Sequence, residues 1–166
     1  MFMLKPPQDT REALGGDNGI RVMEAIRIER PVEDLYRFWR NLSDLPRFMS
    51  HLERVDELGD RRSHWVAKGP AGSHVEWNAE IINEVPNQVI GWQSLPDSDV
   101  VTAGSVRFDR TPDGRATNLT VHLQYAPPAG RLGKAVAQLF GTDPARAIRV
   151  DLERLKTMLE SGAAVR

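Results

Sequence analysis

The chain of 166 residues contains no cysteine. That excludes disulfides, thiolate metal sites and a cysteine nucleophile, and it fits a reducing compartment. It also lacks a long hydrophobic run. The first residues, MFMLKPPQDTREALGGDNG, hold no apolar core of the kind a signal peptide needs, and no stretch approaches the ~18 apolar residues of a membrane span. Charge of one sign is missing too. With 22 Lys+Arg against 23 Asp+Glu the net charge is -1, which gives no basic footprint for nucleic acid. Arg37, Arg40, Arg47, Arg54, Arg61 and Arg62 are cancelled by interleaved Glu33, Asp34, Asp44, Glu53, Asp56 and Glu57, the pattern of a solvated face. There is no HExxH, no histidine trio, no carboxylate cluster and no phosphate-loop glycine spacing. We therefore expect a cytoplasmic protein with no integral membrane segment, no nucleic-acid partner, no metal and no cofactor.

What is present is periodicity. A flexible leader is expected over 1–19, a single domain over 20–162 and a tail over 163–166. Arg21 to Ile28 reads as a strand. Pro31 suits a first helical position, and Leu35, Phe38 and Trp39 follow at helical spacing. Ser43 or Asp44 is expected to cap a second short helix carrying Leu45, Phe48 and Met49. From His51 onward the period becomes two, with strands expected at 51–58, 61–68, 74–84, 88–95, 100–109 and 116–126. Short turn-like separators such as Gly59-Asp60, Pro86-Asn87 and Pro112-Asp113-Gly114 force sequential antiparallel pairing. After Pro127-Pro128-Ala129-Gly130 a helical stripe runs through Leu132, Val136, Leu139 and Phe140. It is broken at Gly141-Thr142, restarts at Asp143-Pro144, and continues through Ile148, Leu152, Leu155 and Leu159 to Gly162.

This order predicts an α+β fold: a curved seven-stranded antiparallel sheet wrapped around one long C-terminal helix, with two short helices after the first strand. Such a sheet curls through its own twist, and curling around a single helix leaves internal space.

The segment "SHVEWNAEI" (73–81) shows how the faces divide. Val75, Trp77, Ala79 and Ile81 share one face, and His74, Glu76, Asn78 and Glu80 the other. The apolar set must be inward, so the His/Glu set faces water. By the same parity His64 and His122 point out, Gln124 points out, and His51 lies at a junction with its role open. If Gly69–Ser73 is a five-residue loop, Lys68 pairs with His74 and Trp65 lies opposite Trp77. If 85–88 is a four-residue loop, Glu84 pairs with Val89 and Trp92 lies opposite Ile81. The inward surface then comprises Trp65, Trp77, Trp92, Val106, Phe108, Val121, Leu123 and Tyr125, with Gly104 beside them. Ile148 and Leu152 face it from the helix, and Phe48, Met49, Leu139 and Phe140 stand at its mouth. Each is an ordinary core residue taken singly. Together they have the makeup of an apolar pocket with a few polar handles. Inward polar groups are limited to Ser63, Ser94 and Tyr125, with Ser105 of uncertain parity, so no catalytic residue is identified.

The segments "RPVEDLYRFWRNLSDLPRFMSHLERV" (30–55), "HWVAKGPAGSHVEWNAEIINEVPNQVIGWQS" (64–94), "GSVRFDRTPDG" (104–114) and "YAPPAGRLGKAVAQLFGTDP" (125–144) carry a resemblance. In that order the chain resembles the Bet v 1-like, or START-like (SRPBCC), helix-grip superfamily, and within it the polyketide cyclase/dehydrase and coenzyme-Q-binding branch. The resemblance implies binding or transport of a hydrophobic small molecule, aromatic, lipid or quinone-like, in an internal cavity. It equally leaves open a cyclase/dehydrase-type enzyme using the same cavity, or a protein-interaction or chaperone-like module.

Overall fold

The computed structural model of the chain describes residues 20–96, 98, 100–126 and 143–162. The leader, the tail, Leu139 and Phe140, and the expected helix break at Gly141-Thr142 lie outside the described residues. Strand β1 (Ile20–Ile28) is followed by helix α1 (Val32–Arg40) and a 3-10 helix (Leu42–Arg47). Six strands follow: β2 (Leu52–Gly59), β3 (Arg62–Lys68), β4 (His74–Val85), β5 (Val89–Ser94), β6 (Val101–Arg110) and β7 (Thr117–Ala126). Helix α2 (Pro144–Glu160) closes the order. The strands form one antiparallel sheet ordered β1-β7-β6-β5-β4-β3-β2, so β2 to β7 are a meander and β1 joins the far side of β7. The meander is the one the short turns predict, and the whole is the helix-grip arrangement that the resemblance implies.

Local chemistry explains the helix ends. Pro31 lies just before α1, at ψ 151°, and not at its first helical position; its carbonyl accepts from Asp34 and Leu35. Ser43 and Asp44 do not cap the second helix either, since it begins at Leu42 after Asn41, and no side chain caps it. Instead Asn41 bonds both Ser43 and Asp44 side chain to side chain. Phe48 and Met49 follow this helix and are buried. In α2, Asp143 accepts from the Arg146 N–H at 3.1 Å and Pro144 occupies the first turn, while Gly162 takes the left-handed φ of +78° that ends it.

One core cluster joins the helices to the sheet: Leu35, Phe38 and Trp39 of α1, Ile148, Leu152, Leu155 and Leu159 of α2, and the inward residues of the strands. Helix α2 also secures the β1 end of the sheet. Lys156 donates to the Arg27 carbonyl at 2.8 Å, and Glu160 accepts from the Glu29 N–H at 2.8 Å. Gln124, expected on the outer face, is fully buried; its parity is as read, but parity alone does not determine whether an outer-face side chain is covered.

Candidate functional site: an aromatic wall and the polar groups beside it

Pairing of β3 with β4 places Trp65 directly opposite Trp77, with Lys68 opposite His74. The two indoles stack at 6.0 Å and 19° between planes. Trp92 of β5 stacks on Trp65 in turn, at 6.1 Å and 19°. Its indole can lie flat because the residue facing it on β6 is Gly104: a Cβ there would come within 2.6 Å of the Trp92 ring. The series does not stop at the strands. Trp39 of α1 lies 6.4 Å from Trp92 and 5.3 Å from Phe48, and Phe48 lies 6.1 Å from Phe38. Four tryptophans and two phenylalanines thus form one continuous aromatic run from the sheet to the helices.

Trp39 was read as part of a helical stripe and not as part of this surface. Its signal was its place on the buried face of α1, next to Phe38. The polar handles of the run differ. Trp65 Nε1 donates to Ser63 Oγ at 2.8 Å. Trp39, 1 % exposed, has its Nε1–H buried with no acceptor among the described residues, a state that costs about 1–3 kcal/mol in a protein interior. Val106, Phe108, Val121, Tyr125, Met49, Ile148 and Leu152 are buried in the same cluster, and Leu123 packs against it half-buried. Burial pushes the Tyr125 phenol up, so it remains a protonated donor.

Two carboxylates reach the inner side that parity had not placed there. The first is Glu84. Pairing of β4 with β5 runs Val85↔Val89, Glu84↔Ile90 and Asn83↔Gly91, then slips by one residue to Ile81↔Trp92. Glu84 was expected to pair with Val89. The turn is shorter by one residue at the β4 side, with Asn87 in the left-handed region at φ 64°, and Ile82 is an extra residue that restores the Trp92–Ile81 pair. Cross-strand partners share a face. Glu84 therefore lies on the face of Ile90 and Trp92, turned there by the bulge. It meets α1: Tyr36 O–H donates to it at 2.5 Å and Arg40 Nε at 2.8 Å, with Arg61 at 3.9 Å. Burial alone would raise the Glu84 carboxyl, but the Tyr36 and Arg40 bonds outweigh it and hold it low. Burial, then the bond to Glu84, pushes the Tyr36 phenol up to about 12. An open cleft of about 520 Å³ borders this network, lined by Glu33, Tyr36, Arg37, Arg40, Asn41 and Asn87.

The second is Asp151, 3 % exposed on the inward stripe of α2. It sits three residues after Ile148 and four before Leu155, so the same spacing that placed the leucines placed it inward. Its Oδ1 accepts from Ser50 N–H (3.4 Å), Ser50 Oγ (3.2 Å) and Arg154 Nη1 (3.0 Å), while Arg154 Nη1 also donates to the Phe48 carbonyl at 2.8 Å. Its Oδ2 lies 3.9 Å from Nδ1 of His51. Burial pushes the Asp151 carboxyl up against the opposing pull of Ser50 and Arg154. Burial, helped by Lys68, pushes the His51 imidazole down to about 4, so it is neutral near pH 7.

The opposite face of the sheet is as read. His74 is half-exposed and pairs with Glu53 at 2.6 Å. His64 bonds Asn78 and Glu76, each at 2.8 Å, and these two partners raise its basicity. Among the described residues no three His, Asp or Glu side chains converge as a metal site, and no helix is long and apolar enough to cross a membrane.

A family model described as "Polyketide cyclase / dehydrase and lipid transport" matches residues 28–153. An uncharacterized 17.2 kDa protein from the melC2-rnhH intergenic region of Streptomyces lincolnensis is 30% identical over 140 residues, 84% of this chain and 89% of that one. A solved protein of Deinococcus radiodurans is 35% identical, with a TM-score of 0.71 over 86% of this chain and 99% of its own. The Zhui aromatase/cyclase of Streptomyces sp. R1128 shares the fold at 18% identity, with a TM-score of 0.54 over 87% of this chain and 90% of that one.

Proposed function

This chain belongs to the polyketide cyclase/dehydrase and lipid transport family, and from that premise we propose that it binds a hydrophobic small molecule, aromatic, lipid or quinone-like, against the aromatic wall. The observation that carries this reading is the continuous run Trp77–Trp65–Trp92–Trp39–Phe48. Flat indole faces accept flat or extended apolar molecules, and a few polar groups at their edge fix orientation. The buried Trp39 N–H, without an acceptor among the described residues, is a donor left at that edge. Phe48 and Met49 stand at the mouth in this reading, and Val106, Phe108, Val121, Leu123, Tyr125, Ile148 and Leu152 complete the lining.

The test is native mass spectrometry of the freshly purified protein, followed by titration of intrinsic tryptophan fluorescence with the extracted molecule or with 2-naphthol. Adduct mass and saturable quenching that weakens at least tenfold in Trp65→Ala are expected. A mass equal to the bare chain, with no quenching by any apolar probe, would sink the reading.

A second reading, a cyclase/dehydrase-type enzyme, is favoured by one observation: a neutral His51 beside the nearly buried Asp151. An inward acid or base is what such chemistry requires.

A further inference from the structure

Helix α1 has a second face beside its buried one. Glu33, Tyr36, Arg37 and Arg40 recur on it at helical spacing. With Asn41 and Asn87 they line the open cleft of about 520 Å³ next to the β4–β5 turn. Every lining residue is polar, yet the walls are mostly carbon, as the Tyr36 ring and the stems of the two arginines would make them. Tyr36 is held edge-on against Phe108 at 5.6 Å, which fixes its ring as one wall.

The polar groups of the cleft are unequally engaged. Tyr36 O–H and Arg40 Nε both donate to Glu84, and Arg40 Nη1 donates to Glu57. Glu33 accepts from Arg110 at 3.2 Å. Asn41 is bonded to Ser43 and Asp44. Arg37 and Asn87 are left, and neither side chain makes a hydrogen bond among the described residues. Arg37 is 69 % exposed and comes no closer to a carboxylate than 3.6 Å, at Asp34, beyond hydrogen-bond reach. Asp34 already accepts two bonds from Arg30.

The carboxylates around the cleft thus each have a cation of their own: Arg110 for Glu33, Arg30 for Asp34, and Arg40 for both Glu57 and Glu84. Asp109 lies past Asn87, in a neighbouring cleft. Arg37 is the cation without a bonded partner, and a guanidinium can only donate. The Asn87 amide adds two donors. An anion satisfies both groups. Phosphate has no apolar body for the carbon walls, and its second charge would be repelled by Glu33 and Glu84. A plain hydrocarbon leaves the donors idle. A carboxylate matches the fork of a guanidinium, and a flat ring stacks on arginine and tyrosine alike.

We propose that this cleft is a second binding site, outside the aromatic wall, for a small aromatic monocarboxylate. Arg37 and the Asn87 amide hold the carboxylate, and Tyr36 with the arginine stems packs the ring. The site is independent of the wall and stands or falls separately.

The test titrates ¹⁵N-labelled protein with 2-naphthoate, with acetate and with 2-methylnaphthalene. The Arg37 Nε–H and Asn87 side-chain amide signals report the cleft, and the tryptophan indole N–H signals report the wall. Saturable shifts of both cleft signals are expected with 2-naphthoate, at least tenfold weaker binding with acetate, and no cleft shift with 2-methylnaphthalene. Read on the Asn87 amide, Arg37→Gln should weaken 2-naphthoate about tenfold or more, the scale of a lost charge-assisted hydrogen bond. Arg37 is largely exposed, so this variant should melt with the parent. Asn87→Gly keeps the left-handed backbone at φ 64° and should weaken binding by a smaller factor, read on Arg37. An affinity unchanged in Arg37→Gln, or equal for acetate and 2-naphthoate, overturns the site. Shifts with 2-naphthoate confined to the indoles overturn it as well and leave the reading of the wall in place.

Discussion

Trp77 and His74 lie three positions apart on β4 and so face opposite ways. Trp77 is 8 % exposed and stacked on Trp65; His74 is half-exposed and ion-pairs with Glu53. Trp77→Glu places a charge among apolar rings with no partner, and should destabilise the fold by roughly 3–5 kcal/mol. His74→Ala should stay within about 0.5 kcal/mol of the parent. Urea denaturation of the two variants checks this, and equal losses would refute the face assignment. At this scale alternation made Trp65, Trp77 and Trp92 legible, because a period of two leaves no other face for them. Trp39 and Asp151 escaped notice for a different reason. A helical stripe is read from its apolar members, so an aspartate on it is taken for surface, and a tryptophan on it for filling. Only packing between elements shows that one meets the wall and the other meets Ser50 and His51.

Among the elements, the β4–β5 hairpin is where sequence and structure diverge most usefully. A four-residue loop gives Trp92 opposite Ile81, and that pair is found, yet the loop differs and the bulge at Ile82 makes up the difference. Two one-residue effects cancel across the far half of the hairpin and leave Glu84 reversed in the near half. Turn composition cannot reveal a bulge ten residues before the tryptophan it keeps in register, because Ile82 suits a strand whether paired or not. The consequence is a measurable pH dependence. The Glu84 carboxyl is held below its unfolded value of 4.5, so its stabilising effect is present above that value and is lost as pH falls through the depressed folded one. Glu84→Gln should cost about 1.5–3 kcal/mol at pH 7, the scale of hydrogen bonds to a charged group. The gap between parent and variant should close as pH drops below 4. A gap unchanged from pH 7 to pH 3 would show that the carboxylate charge does not hold α1 to the sheet.

For the whole molecule, the order of elements and the shortness of the turns were enough to fix β2 to β7 as a meander followed by one helix, while the place of β1 beside β7 does not follow from those turns. The sequence could not show how α2 holds the β1 end through Lys156 and Glu160, since such contacts depend on where two distant elements meet. The same is true of the two histidines that the fold places in opposite settings. His51, inside, is pushed down to about 4 by burial and then by Lys68, with Asp151 and Arg154 also near it. The unfolded chain, with a histidine near 6.5, takes up protons first as pH falls, so His51 withdraws stability between pH 6.5 and 4, by about 3 kcal/mol at pH 4. His64, on the outer face, has its basicity raised by Asn78 and then by Glu76. Its contribution is fully present below 6.5 and fades as pH rises through its folded value. The Asp151 carboxyl, raised by burial, also favours the folded state as it protonates and opposes His51 on the acid side. The two replacements therefore act on different parts of one curve. His51→Leu should flatten the fall in stability from pH 6.5 to 4, whereas His64→Gln should leave that fall unchanged and remove a gain in stability that appears as pH drops from 8 toward 6.5. Chemical denaturation of the parent and both variants across pH 4–8 measures the slopes; a His51→Leu effect confined to pH above 6.5, or a His64→Gln effect confined to pH below 6, would mean the two rings do not occupy the inner and outer settings assigned to them.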